Sequence, residues 1–127
     1  MSDVQLIWPN KGLTLRAAGA VGYEWVQPTD SRLHDPLRLV TKKSTLLHEK
    51  SNVLAIGDGL DVLEALGSAT ALFDTGIRLV YIDPPFNTHA DVRQYSDVMN
   101  RPMWLSMMRD RLAALRPHLA SNASICG

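Results

Sequence analysis

The feature that most constrains the fold of this chain is a short apolar run that stops at two consecutive prolines. Leu79-Val80-Tyr81-Ile82 is followed directly by Asp83-Pro84-Pro85-Phe86-Asn87-Thr88. An apolar run rich in β-branched and aromatic residues reads as a strand buried on both faces, the habit of parallel sheets. Proline has no N–H to give to a ladder and its φ is fixed, so the strand ends there and the turn beyond it is stiff. A carboxylate, a rigid backbone and the ring of Phe86 are thereby expected at the carboxyl end of a strand. In open α/β sheets ligands bind along that edge.

The flanking residues extend this pattern. Val53-Leu54-Ala55-Ile56 reads as a second buried strand, turned by Gly57-Asp58-Gly59 into a helix from Leu60 to Leu66 that places Val62, Leu63 and Leu66 on one face and ends at Gly67-Ser68. A strand–helix–strand unit joined this way is almost always a right-handed parallel crossover. Val53–Ile56 and Leu79–Ile82 are therefore expected to be adjacent parallel strands, with Asp58 and Asp83 on one sheet edge. Asp58 has two readings at this stage, a helix N-cap or a ligand-facing carboxylate. Gly57-Asp58-Gly59 is not a Gly-x-Gly-x-x-Gly fingerprint and makes no independent case for a dinucleotide. Asn87 to Asn100 is polar and without period, and reads as a long loop over the same edge. The clearest helix follows, capped by Asn100 with Pro102 in its first turn and closed by Pro117. Its spacing puts Leu105, Met108, Leu112 and Leu115 toward the core and Arg109, Asp110, Arg111 and Arg116 toward water. Ser121-Asn122-Ala123 reads as a turn, and Ser124-Ile125-Cys126 as the start of a third strand.

Residues 1–50 carry weaker signals and read as an N-terminal arm or linker. Gln5-Leu6-Ile7-Trp8 and Gly22-Tyr23-Glu24-Trp25-Val26 are candidate strands of an antiparallel arm, the first ended by the turn Pro9-Asn10-Lys11-Gly12. Arg32, His34, Arg38, Lys42, Lys43, His48 and Lys50 gather in the second half, where Asp30, Asp35 and Glu49 are interspersed; a solvated surface is favoured there over a phosphate-facing strip. The 13 Lys and Arg balance the 13 Asp and Glu, whereas a chain that grips DNA by itself usually carries a basic excess. At 127 residues there is room for one domain with a modest core. No apolar run reaches the length of a membrane span, no signal peptide opens the chain, and the single cysteine, Cys126, forms no internal disulfide; a cytoplasmic location is expected.

The Asp83 cluster suits methylation of an exocyclic amino group on a nucleobase. The lone pair of such a nitrogen is delocalised into the ring, and two acceptors, one for each N–H, draw it toward a nucleophilic geometry. Asp83 offers a carboxylate oxygen and Pro84 its carbonyl, held in aim by the Pro-Pro turn. Phe86 offers a face for an extruded base, a contact worth roughly 1–3 kcal/mol, and a base must leave the duplex before an enzyme can alter it. Taken alone, the same residues also read as a plain strand-ending turn.

Tyr81-Ile82-Asp83-Pro84-Pro85-Phe86-Asn87-Thr88, with Trp104-Leu105-Ser106-Met107-Met108 after it, resembles the catalytic region of amino-group DNA methyltransferases. The likeness is to adenine-specific enzymes of the β class, including modification subunits of type III restriction systems, and it runs from Asn52 to Ile125. It implies an α/β, partial Rossmann-like methyltransferase fold with a mostly parallel sheet, of which residues 51–127 form the catalytic-motif half behind the irregular arm. It implies transfer of a methyl group from S-adenosylmethionine to the amino group of adenine in double-stranded DNA with the base flipped out. Asp83, Pro84, Pro85 and Phe86 would be catalytic and Asp58 would meet the adenine of the donor. The Phe-x-Gly-x-Gly loop that holds most of the donor in that family is not in this sequence. The chain is therefore expected to be a catalytic front portion that does not methylate DNA alone. Partners implied are a restriction subunit or a chain supplying the loop. The alternatives are an inactive methyltransferase-like binding module, one chain of a split enzyme, methylation of the cytosine amino group, and an unrelated α/β nucleotide-binding domain; no metal site and no membrane partner are expected.

Overall fold

The computed structural model describes residues 4–19, 22–34, 40, 52–69, 71–85, 91–92, 95–96 and 99–127. Within them helices and strands are mixed, and the one parallel pairing joins β3 (Ile77–Tyr81) to β6 (Leu119–Cys126). Two further pairs are antiparallel: β1 (Thr14–Ala18) with β2 (Gly22–Val26), and the short β4 (Asp91–Val92) with β5 (Tyr95–Ser96). The helices are α1 (Gly59–Ala69) and α2 (Arg101–Leu115).

The strand at the Asp-Pro-Pro motif forms two residues earlier at its start than the apolar run suggests, and a last ladder bond from Ile82 N to the Cys126 carbonyl (2.8 Å) closes it just before Asp83. Its parallel neighbour is not the expected one. Residues 52–56 carry no strand, and Val53, Leu54 and Ile56 are 57%, 88% and 87% exposed. A strand in a parallel sheet is stable when both faces are covered, and α1, the helix expected to cover this one, packs on α2 instead. The parallel crossover is made one unit later, by β3, α2 and β6. Its register is irregular: Ile77 faces Leu119 while Leu79 faces Ser124, so a two-residue step on β3 meets a five-residue step on β6. The expected turn at Ser121-Asn122-Ala123 is this irregularity inside a longer strand.

The N-terminal segment forms a hairpin, but Thr14–Ala18 and not Gln5–Trp8 pairs with Gly22–Val26. Pro9 to Gly12 turn as expected, with Asn10 in the left-handed region (φ 62°). The core lies between this hairpin and the two helices. Leu15, Val26, Ala65, Met107 and Leu115 are buried there, each removal of such a side chain from water being worth about 1.5–3 kcal/mol for the larger ones. The β3–β6 pair is less covered: Leu79 and Tyr81 are exposed, as is Ile125.

Both helices depart from their expected faces. In α1, Gly67-Ser68 does not stop the helix. A Cβ at Gly67 would lie 2.6 Å from His118 Nε2, so glycine serves close approach there, and Ser68 Oγ donates back to the Glu64 carbonyl (2.6 Å). In α2, Asn100 caps as expected, its side chain accepting from Met103 N (3.0 Å), with Pro102 in the first turn. The buried residues, however, are Ser106, Met107 and Leu115, while Leu112 is exposed. Arg109 and Arg111, assigned by spacing to the wet face, are partly buried and bonded to other elements. Trp8 Nε1 donates to the fully buried Ser106 Oγ (2.8 Å), and Arg109 donates to the carbonyls of Lys11 and Leu13, the latter at 2.8 Å. The Trp8 side chain and the backbone just before β1 thus bond this side of α2.

Candidate active site

Asp83, Pro84 and Pro85 follow β3 at its carboxyl end, with Asp83 exposed and the two prolines half-buried. The turn is tied to α2: Trp104 Nε1 donates to the Pro85 carbonyl at 2.5 Å. Phe86, the expected stacking ring, lies outside the described residues, as do Asn87, Thr88 and the basic residues from Arg38 to Lys50.

Asp58 is placed by α1 and α2 and follows no strand. It is the N-cap of α1: its Oδ1 accepts from Leu60 N (2.9 Å) and its carbonyl from Val62 N (2.9 Å). Its Oδ2 accepts from Tyr23 Oη (2.8 Å) and from Arg111 (2.7 Å), and Arg111 also donates to Tyr23 Oη (3.0 Å). The Asp58 and Arg111 side chains are 16% and 18% exposed, which shields the pair from solvent screening. Burial pushes the Tyr23 phenol up, the hydrogen bond to Asp58 adds to this, and Arg111 opposes it. A carboxylate has about four lone-pair sites. Among the described residues Oδ2 accepts from two donors, Tyr23 and Arg111, and Oδ1 from one, Leu60 N.

A cleft of about 500 Å³ opens beside Asp58, between the hairpin and α1; Arg16, Arg32, Leu33, Asp58, Asp61 and Glu64 are among its lining residues. The arginines on the hairpin side are already paired: Arg16 with Glu24 (3.1 Å), and Arg32 with Glu24 (2.9 Å) and Asp30 (2.8 Å). Across from them the carboxylates of α1 sit close together. Burial and the neighbouring Asp58 charge raise the Asp61 carboxyl above its ordinary value.

Asp58 and the Asp-Pro-Pro turn are thus each bonded to α2, through Arg111 and Trp104. These residues are seven apart, so they share a helix face and are spaced by roughly 10 Å along the axis. Sequence reading had placed both candidates on one sheet edge; the structure instead holds each from one helix. Tyr23 and Arg111 carried no local signal of this role. A tyrosine in a hairpin and an arginine on a polar stripe look alike whether free or bonded, and only the tertiary fold brings them to Asp58. Among the described residues no group of His, Cys, Asp and Glu is placed to hold a metal ion, and no helix is long and apolar enough to cross a membrane.

Comparison with known proteins gives one relative. The chain is 35% identical over 74 residues to the "Probable type III restriction-modification enzyme HindVI Mod subunit" of Haemophilus influenzae. The shared stretch is 58% of this chain and 10% of that protein. No family model matches the chain, and no solved structure matches it. The relationship is to a modification subunit, over a minor part of that subunit's length.

Proposed function

We propose that these residues carry the catalytic motif of an S-adenosylmethionine-dependent DNA methyltransferase acting on the exocyclic amino group of adenine. The observation that carries this reading is the Asp83-Pro84-Pro85 turn at the carboxyl end of a parallel strand, in a chain similar to a type III Mod subunit. On this reading β3, α2 and β6 belong to a Rossmann-like sheet, residues 51–127 are its catalytic-motif half, and residues 1–50 are an arm in front of it. DNA and a restriction subunit are the partners that the relative's name suggests.

The donor supplies an electrophilic methyl group. The protein's task is to present the amine to it. Asp83 accepts one N–H of the flipped adenine and the Pro84 carbonyl accepts the other, which localises the nitrogen lone pair and aims it. Because the amine becomes acidic only as the methyl attaches, Asp83 need not be a strong base; positioning is the main demand. Phe86 stacks on the extruded base. Asp58 would accept from the amino group of the donor's adenine.

The test is methyl transfer from labelled S-adenosylmethionine to mixed-sequence DNA by the native protein that carries this sequence. Asp83→Ala is expected to abolish transfer and largely keep DNA affinity, since an acceptor used mainly in the transition state affects kcat more than binding. Near-normal turnover in that variant removes Asp83 from the mechanism.

A further inference from the structure

The backbone of the Asp-Pro-Pro turn is stiff, and α2 holds its far end. The φ angles of Pro84 and Pro85 are fixed by their rings. Asp83 and Pro84 each precede a proline, and the ring that follows forces both out of the helical region into extended backbone. Pro85 is followed by no proline, so its ψ is freer than those of Asp83 and Pro84. The Pro85 carbonyl reports that torsion, and it is the atom that Trp104 Nε1 grips at 2.5 Å. A peptide group is planar, so fixing this oxygen also fixes the direction in which the chain leaves the turn.

Trp104 is suited to such a restraint. An indole has one donor and no acceptor, so its bond has a single sense. Its ring is half-buried on a helix whose start is held by the Asn100 cap and whose middle is held by Ser106 and Arg109. The donor thus comes from a fixed frame and not from a mobile side chain.

We infer that Trp104 is a positioning residue: its indole N–H ties the stiff Asp83-Pro84-Pro85 turn to α2 and so holds the turn as a unit, with the Asp83 carboxylate and Pro84 carbonyl, in place against the target amine. This rests on the methyltransferase reading above. Trp104 touches neither base nor donor in this scheme and acts through the turn alone.

The experiment compares Trp104→Phe, which keeps a ring and removes the donor, with Val26→Ala, which opens the core away from the turn and serves as a control for lost stability. Single-turnover methyl transfer, KM for S-adenosylmethionine and DNA affinity are measured for the native protein and both variants, well below their unfolding temperatures. Trp104→Phe is expected to lose roughly tenfold to a hundredfold in the transfer rate, the range that a misplacement of about 1 Å produces, with KM and DNA affinity unchanged. Val26→Ala is expected to lose thermal stability and keep its rate. In a ¹H–¹⁵N spectrum the Trp104 indole proton, assigned by its loss in Trp104→Phe, is expected to exchange slowly with solvent. A rate in Trp104→Phe equal to that of the native protein, or a fall matched by Val26→Ala, overturns the inference. So does an indole proton that exchanges as fast as a free one. Absence of transfer by the native protein is a different result: it overturns the methyltransferase reading itself, whatever the indole proton does.

Discussion

Replacing Arg111 by methionine tests whether the Asp58 cluster holds the hairpin and helices together. Methionine keeps the length and apolar stem of arginine and removes its charge and donors. Three bonds are lost: to Asp58 Oδ2 (2.7 Å), to Tyr23 Oη (3.0 Å) and to the Met107 carbonyl (3.2 Å). Breaking one side of a fully buried pair costs about 3–5 kcal/mol, whereas an exposed pair is worth about 0–1 kcal/mol. Both side chains here are less than one-fifth exposed, and Asp58 keeps its bonds from Leu60 and Tyr23, so the loss lies between these limits. We expect roughly 2–3 kcal/mol, which lowers Tm by roughly 8–12 °C in a domain of this size. Urea unfolding followed by two probes measures it. A double-mutant cycle with Asp58→Asn, which preserves the helix cap and removes the charge, isolates the pair; a coupling of roughly 1–2 kcal/mol is expected. An Arg111→Met variant within about 0.5 kcal/mol of the native protein, the range of ordinary surface substitutions, or a cycle with no coupling, refutes the argument.

Two further outcomes follow from the same packing. Burial and Asp58 raise the Tyr23 phenol above 10.0, so the folded state holds that proton more tightly than the unfolded chain; the stabilisation is whole below pH 10 and is lost as pH rises through the folded value. Tyr23→Phe should therefore show a shallower loss of Tm above pH 10 than the native protein, and identical slopes would contradict it. Gly67→Ala should fail to deliver the gain of about 1 kcal/mol normal for a helix interior, because the new Cβ meets His118 Nε2 at 2.6 Å; adding His118→Ala should restore the gain in urea unfolding, and its continued absence would show that His118 is not the obstacle.

What the sequence made legible was local chemistry. The Pro84-Pro85 stop, the Asn100 cap, Pro102 at the start of α2 and the turn at Pro9 to Gly12 depend on residues a few positions apart, and all are found. What it misplaced depends on partners far along the chain. The apolar run at Val53 to Ile56 satisfies every local rule for a buried strand, yet these residues form no strand and stay exposed, and β3 pairs with β6. Gly67 reads as a helix stop because the sequence does not show His118 against it. The stripe of Leu105, Met108, Leu112 and Leu115 reads as a core face because the spacing is right, and Leu115 is buried while Leu112 is exposed. The arginines on the other side are instead drawn inward by carbonyls of Lys11 and Leu13 and by Asp58. For the site, Asp83 and Asp58 were readable as residue types at strand and helix ends, whereas Tyr23 and Arg111 meet Asp58 only through contacts 35 and 53 residues away in sequence.

The grips on α2 occur in the order Trp104, Ser106, Arg109, Arg111, with the two anchors to the N-terminal arm between the two that reach the site. That order makes the helix a seesaw. Trp104 and Arg111 stand roughly 5 Å to either side of the midpoint along the axis, so a tilt of about 10° would move each by roughly 1 Å, and in opposite senses. Substitutions in the arm near Trp8 or Lys11 would lift the Asp-Pro-Pro turn as they lower the Asp58 cap. Second-site changes that restore one end would then be expected at the other end of the same helix.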